Sequence, residues 1–459
     1  MIVKLSPATA ALMIICLGCF IGPLGVAAVN IAIPDLAADL HANAKMVSWI
    51  PTIFLLSNVA FMLPFGKLAD NYGRKRIYSY GLILNAVASV MCAWGDVIEW
   101  ILFWRFVQGA ASAMIFGTGV AILSSVTPSH KRGFALGLAA ACVYIGLTIA
   151  PVIGGWLTQT WGWRSVFLFQ VPLVIGLIVL IKFKLPGEWK NEKHSRFDWL
   201  GTGIFAFASI ALVFGLSLLP SWSGAILLLL ATLAMVYFVV HQSRHKEPLI
   251  RVQMFSESRM FSMSLSTSLL MYASVYPLTF LLSLYLQYVK EFSPVEAGQI
   301  ILVQALAMAV VAPIAGRLSD KIQNGILASL GCSVVALGFL ILGQMDTDTT
   351  ATYISGSLVL IGIGFGLFST PNNNAIMGAV HSRELGVASA SMSLARTIGN
   401  LVGMSLVNFL VHIYLGDAHF TQQQIPALLK TVSFSLHLSF VCVLLACFLS
   451  ASRGKQTSH

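Results

Sequence analysis

Two arginines, Arg105 and Arg396, stand inside long apolar runs, whereas every one of the 17 Asp and Glu residues can be placed at a run's edge or in a loop. A charge at membrane depth costs several kcal/mol, about 2.5–3.5 on insertion scales, and marks a functional site by default. These two guanidiniums are therefore the first candidates for binding a cargo or tuning a titrating group. Gln108 lies one turn from Arg105 on the same helical face. Asn30, Gln304 and the run Asn372, Asn373 and Asn374 are neutral polar groups in apolar surroundings, suited to ligand hydrogen bonds or to interhelical ones. Tyr144, Tyr272 and Tyr276 offer aromatic walls, and His437 reads as a packed histidine. His241 and His245 have the i, i+4 spacing of a metal grip, but no third ligand stands near them in the chain. They read as part of an interfacial basic loop, and no metal or cofactor is expected. There is no Gly-x4-Gly-Lys-Ser/Thr string, no His-Glu-x2-His and no pair of membrane aspartates. Those gaps argue against an ATP-driven pump subunit and against an intramembrane enzyme.

The elements that must hold these residues follow from composition. Of 459 residues, 57% are apolar and only 10% are charged. Soluble domains carry roughly 25% charged residues, so a water-soluble fold is excluded. The apolar residues form fourteen runs, from 8–33 to 431–451, each long enough to cross ~30 Å of hydrocarbon as a helix. The 7 cysteines all fall within runs, without disulfide or metal spacing, and read as small packing residues.

The net charge of +10 comes from 27 Lys and Arg. Twenty-one of them fall on one side of the alternating spans and four on the other. By the positive-inside rule the richer side is cytoplasmic. Both termini are then cytoplasmic, and the basic balance implies lipid headgroups rather than nucleic acid as the partner.

The loop Gly66-Lys-Leu-Ala-Asp70-Asn-Tyr-Gly73-Arg74-Lys-Arg76 is the most specific string in the chain. Gly66 and Gly73 permit tight helix ends, Asp70 can accept backbone N–H groups, and Arg74 begins a basic triplet at the lipid surface. A solvated basic loop would account for the triplet but not for Asp70 or the glycines. The string recurs as Gly316-Arg-Leu-Ser-Asp320. Close to the same offset, Gly109, Gly133, Gly146 and Ala150 match Gly362, Gly386, Gly399 and Gly403. Two homologous halves fit this spacing: residues 1–183 and 261–459 as six-helix bundles, with linkers and two inserted helices over 184–260. Such halves put a substrate site at their interface, near the bilayer midplane.

The loop string resembles the signature between helices 2 and 3 of the major facilitator superfamily. Arg105-Phe-Val-Gln108-Gly109 resembles that superfamily's helix-4 arginine motif. Gly137, Gly146, Ala150-Pro151 and Gly154-Gly155 resemble its helix-5 antiporter signature. Phe197-Asp198-Trp199-Leu200-Gly201 and Glu247-Pro248-Leu249 look like the fourteen-spanner drug:proton antiporter family. The resemblance covers essentially the whole chain. It implies an all-α major facilitator fold of 14 spanning helices and proton-coupled efflux of small amphipathic compounds by alternating access. It also implies a monomer in the cell (inner) membrane. Gly66, Asp70, Gly73, Arg74, Gly146, Pro151 and Gly154 would gate. Arg105, Gln108, Asn30, Arg396, Asn372 and Asn373 would bind or couple. Asp70 would latch the cytoplasmic side against the start of helix 13, around Ser382 to Gly386. In the family's helix 1 an aspartate stands where this chain has Gly25. That exchange points to a cavity that favours neutral, zwitterionic or anionic amphipaths over cations. A variant of the same reading makes the cargo an anionic metabolite or a lipid.

Overall fold

The computed structural model describes residues 7–41, 44–185, 187–190, 197–292, 294–415 and 425–453. The side chain of Asn30 and most of the linker at 186 and 191–196 lie outside the described residues. Among the described residues the chain is helical throughout, with no strand.

Among the described residues, fourteen helical stretches are long and apolar enough to cross a membrane. In chain order they are α1 (Thr9–Ile33), α2 (Trp49–Tyr72), α3 (Arg74–Ala93), α4 (Ile98–Val126), α5 (Ser129–Trp161) and α6 (Arg164–Lys184). The inserted pair is α7 (Trp199–Ser217) and α8 (Trp222–Arg244). The last six are α9 (Arg259–Val289), α10 (Glu296–Ser319), α11 (Asn324–Leu342), α12 (Ala351–Gly378), α13 (Ser382–Tyr414) and α14 (Ile425–Ala451).

Local chemistry sets several helix starts. Asp198, Ser221, Ser258 and Thr350 each accept a backbone N–H from the first turn of the helix they precede. The turn between α2 and α3 is a single residue, Gly73, at φ 122°, a left-handed-side conformation that a side chain would strain. It lets the chain reverse at once, so Asp70 and Arg74 stand at the same corner.

Within the first six spans, α1 packs on α5, and α4 on both α2 and α3. Within the last six, α12 packs on α10 and α11, and α9 on α13. The inserted α7 and α8 form a hairpin whose α7 rests on α2. The first and last sixes meet through α5 against α10 and α13 against α2 and α4, with a smaller contact of α12 on α5. Lipid tails are as apolar as the helices, so close backbone approach drives this packing. A Cβ on Gly66 would meet Ala390 and the Gly386 carbonyl oxygen, and a Cβ on Gly133 would meet Ser319 and the Gly316 carbonyl oxygen. The repeat strings therefore face each other's halves.

Candidate functional site

Asp70 ends α2 fully buried, with its carboxylate at the first turns of α13. Oδ1 accepts the Gly386 N–H at 2.9 Å and Oδ2 the Val387 N–H at 3.1 Å. Helix starts carry unpaired N–H groups and a positive dipole end, so an anion is favoured there. Arg74, one turn on from Asp70, donates to Oδ1 from Nε at 2.9 Å and from Nη2 at 2.8 Å. The same guanidinium donates to the Ser382 carbonyl at 2.7 Å and to Ser125 Oγ at 2.6 Å. One ion pair thus ties α2, α3, α4 and α13 together.

The repeat builds the mirror contact. Asp320, at the end of α10, accepts the Gly133 N–H at 2.8 Å and the Phe134 N–H at 3.0 Å. Arg317 lies over the Phe134 ring at 4.7 Å. Both carboxylate contacts join the two sets of six helices, and both lie on the face that holds the basic loops. Sequence reasoning found the Asp320 string but not its partner, which the offset of the glycine matches would have supplied.

Moving away from that face, α5 presents Gly133, Gly137, Tyr144 and Pro151 at near-heptad spacing, on one side of the helix. Gly137 abuts the Ala312 backbone, and Tyr144 donates to Ser369 Oγ of α12 at 3.2 Å. Pro151, two turns further, is exposed. The sixes touch from the basic face to about mid-membrane and part beyond it.

Arg396 sits at this depth on α13. Its guanidinium lies 5.4 Å from the ring centre of Phe116 on α4. The Phe116 carbonyl also accepts Ser389 Oγ at 3.4 Å and Ser393 Oγ at 3.5 Å. Among the described residues no carboxylate faces Arg396. Phe116, Ser389 and Ser393 carried no signal in the sequence, since an aromatic and two serines are ordinary packing in such helices.

The other candidates are placed differently. Arg105 is 1% exposed and enclosed between α2 and α4. It donates to Gln108 Oε1 at 2.6 Å and to the Ile50 carbonyl at 3.4 Å, over the Phe54 ring at 4.6 Å. Gln108 passes the chain to Ser89 Oγ on α3 at 2.9 Å. This network lies inside the first six spans, and Arg105 Nη2 has no hydrogen-bond partner among the described residues. Asn372 bonds α9 through the Ser264 carbonyl at 3.2 Å and Ser268 Oγ at 2.7 Å, which is interhelical bonding within the last six. Asn373 is half-buried. Gly146 and Gly154 lie against the α1 backbone at Phe20 and Ala28, within the first six. Gly25 faces Gln170 of α6, whose Oε1 occupies the place a Cβ would take.

At the inserted hairpin Asp198 caps α7. Burial alone would raise its pKa, but bonds from the Gly201 N–H, Gln242 and His241 outweigh that and hold it below the usual carboxylate range. His241 and His245 reach the same corner, so the third oxygen or nitrogen donor missing from the local sequence stands 43 residues upstream of His241.

The family model for the Major Facilitator Superfamily matches residues 15–404. The riboflavin transporter RibZ of Clostridioides difficile (strain 630) is 30% identical over 85% of this chain and 86% of its own length. The multidrug resistance protein Stp of Mycobacterium tuberculosis (strain CDC 1551 / Oshkosh) is 29% identical over 87% of this chain and 75% of its own. Among solved structures, the human organic anion transporter MFSD10 (TETRAN) superposes with a TM-score of 0.72 at 14% identity, covering 96% of this chain and 100% of that one. The chain belongs to the Major Facilitator Superfamily and is a multi-pass membrane transport protein.

Proposed function

We propose that this member of the Major Facilitator Superfamily exports small amphipathic compounds from the cytoplasm in exchange for protons, by alternating access between residues 1–183 and 261–459. The observation that carries the reading is the pair of carboxylate-to-helix-start contacts, Asp70 on α13 and Asp320 on α5, both on one face. The basic face is cytoplasmic in this reading, with both termini there, so the described conformation is closed to the cytoplasm. Opening that side requires both carboxylates to leave the opposing helix starts. Each such contact is worth up to ~2 kcal/mol when partly buried, small enough for cargo binding to reverse. Relatives named as a multidrug resistance protein and a riboflavin transporter support amphipathic cargo. The protein works as a monomer in the cell membrane.

A second reading changes the cargo to an anionic metabolite or lipid. Arg396 favours it, as a cation between the halves that lies over the Phe116 ring, with no carboxylate paired to it among the described residues.

The test is transport into proteoliposomes with an acidic interior, using riboflavin, an anionic dye and a cationic dye. Uptake of at least one that follows the pH gradient and collapses with a protonophore is expected. Uptake indifferent to the gradient removes proton exchange, and no uptake of any of them removes the amphipath reading.

A further inference from the structure

We propose that Asp198, His241 and His245 form a binding site for one divalent transition-metal ion of the zinc class at the basic end of the α7–α8 hairpin. A carboxylate oxygen of Asp198 and one ring nitrogen from each histidine lie within 4.8 Å of one another. His241 Nε2 is 3.1 Å from Asp198 Oδ2 and 3.2 Å from Oδ1. Two ligand atoms on a tetrahedral zinc with ~2.0–2.1 Å bonds stand roughly 3.3 Å apart, so this pair already has the spacing of one tetrahedral edge. His245 follows one helical turn after His241, and the two ring centres are 5.2 Å apart. A change of the His245 side-chain torsions brings the third donor in.

The surroundings are those of a ligand set. Asp198 Oδ1 takes the Gly201 N–H at 2.8 Å and Oδ2 takes Gln242 Nε2–H at 2.7 Å. These bonds fix the carboxylate plane and leave each oxygen a lone pair, the arrangement by which outer partners orient a metal-binding carboxylate. Asp198 is buried, while both histidines are half-buried and reachable from the basic face. Two imidazoles and one carboxylate suit zinc, cobalt or nickel, whereas magnesium and calcium want six or more oxygens. A fourth position stays open to water. The ion displaces the hydrogen bond between His241 and Asp198. On His245, Nδ1 now accepts the Glu247 N–H at 3.2 Å. Ligation through Nε2 moves the ring proton to Nδ1, and ligation through Nδ1 replaces that bond, so either route gives it up.

Bound there, the ion clips together the two ends of the inserted pair. The same Gln242 that holds Asp198 accepts the Leu249 N–H at 2.7 Å, and two residues on Arg251 pairs with Glu384 at 2.6 Å, beside the Asp70 contact. The clip is therefore continuous with the segment that enters α13.

The experiment uses the full-length protein in detergent, stripped with a chelator and titrated with Zn²⁺ against a chromogenic competitor, with Co²⁺ as a spectroscopic probe. Because the chain has 10 histidines, binding is read as a difference between proteins. His245→Ala leaves the Asp198 cap and its bonds to His241 and Gln242 intact, so it keeps the fold. Wild type should bind one more ion per chain than His241→Ala/His245→Ala, and His245→Ala should weaken that ion at least tenfold. The visible Co²⁺ band should disappear with either variant. Equal Zn²⁺ binding by wild type and the double variant, or a Co²⁺ spectrum unchanged by His245→Ala, would overturn the site.

Discussion

Asp320 repeats Asp70 across the molecule: each carboxylate accepts two successive backbone N–H groups at a helix start in the opposite half, Gly133 and Phe134 for one, Gly386 and Val387 for the other. The two contacts are not equal. Asp70 is also gripped by Arg74, which reaches on to the Ser382 carbonyl. The equivalent place after Asp320 is Asn324, whose Oδ1 instead lies 3.5 Å from Asn374 Nδ2. The Asp70 corner is thus the firmer of the two.

Asp70→Asn should keep the protein folded and inserted while lowering transport. The amide retains the shape but loses the charge that both the helix start and Arg74 favour. A loss of ~1–2 kcal/mol shifts the closed population by on the order of tenfold. Labelling of a single cysteine placed between α2 and α13 at the basic face should rise accordingly, and Asp320→Asn should raise it less. Equal labelling in wild type and Asp70→Asn would show that the contact biases nothing.

Arg105→Ala should act on stability rather than on cargo. It leaves the Gln108 amide and the Ile50 carbonyl without their charged donor, a loss of about 1.5–3 kcal/mol, and removes the stacking on Phe54. Thermal unfolding in detergent should move down by several degrees, while the KM of the remaining transport stays near wild type. Arg105→Lys keeps the charge but cannot fork between two acceptors, so it should fall between. A KM raised tenfold with unchanged unfolding temperature would return Arg105 to the cargo site.

Gly25→Ala should lower stability only slightly, because the new methyl meets Gln170 Oε1, the far end of a flexible side chain that can swing aside. Gly25→Asp needs more room than a methyl, but it meets an amide that can turn its unpaired Nε2–H toward the new carboxylate, so it should cost no more than about 1–3 kcal/mol. Gln170→Ala should rescue Gly25→Ala in a double variant. Thermal unfolding of the four proteins gives the coupling, and additive effects would mean the two residues do not meet in the membrane.

The number of spans was readable because charge density and run length leave few options, but their bounds were not: the last span begins at Ile425 rather than 431, and Gly66 lies inside α2, with Gly73 alone making the turn. The Asp70 contact was expected because the loop string resembles the superfamily's signature between helices 2 and 3, which implied a latch at the start of helix 13. What a helix face meets was not. Spacing put Gln108 beside Arg105, yet whether that face turns to the opposite half or to α2 depends on helix rotation. The same limit hid Gln170 behind Gly25. Asp198 was seen only as part of a string at the start of α7, because its distance to His241 is set by a hairpin, not by sequence spacing.

Arg396 should decide which charge the protein carries. Its guanidinium lies on α13 over the Phe116 ring of α4, at the level where Tyr144 still bonds Ser369 and beyond which Pro151 is exposed. A cation in a low-dielectric site acts strongly on a nearby charge, and here the described partner is a ring face, worth ~0.5–2 kcal/mol. An anionic or electron-rich cargo can replace that ring as partner, whereas a cationic cargo meets repulsion. Arg396→Gln should therefore cut transport of an anionic amphipath by about tenfold or more and leave a neutral one of equal size within a few-fold. Transport of a matched monocation should rise or stay level. Phe116→Leu should loosen the guanidinium and lower transport of both without changing their ratio. The measurement is initial uptake into proteoliposomes for the three matched compounds, normalised to reconstituted protein. If Arg396→Gln lowers all three alike, the arginine holds α13 on α4 and does not meet the cargo.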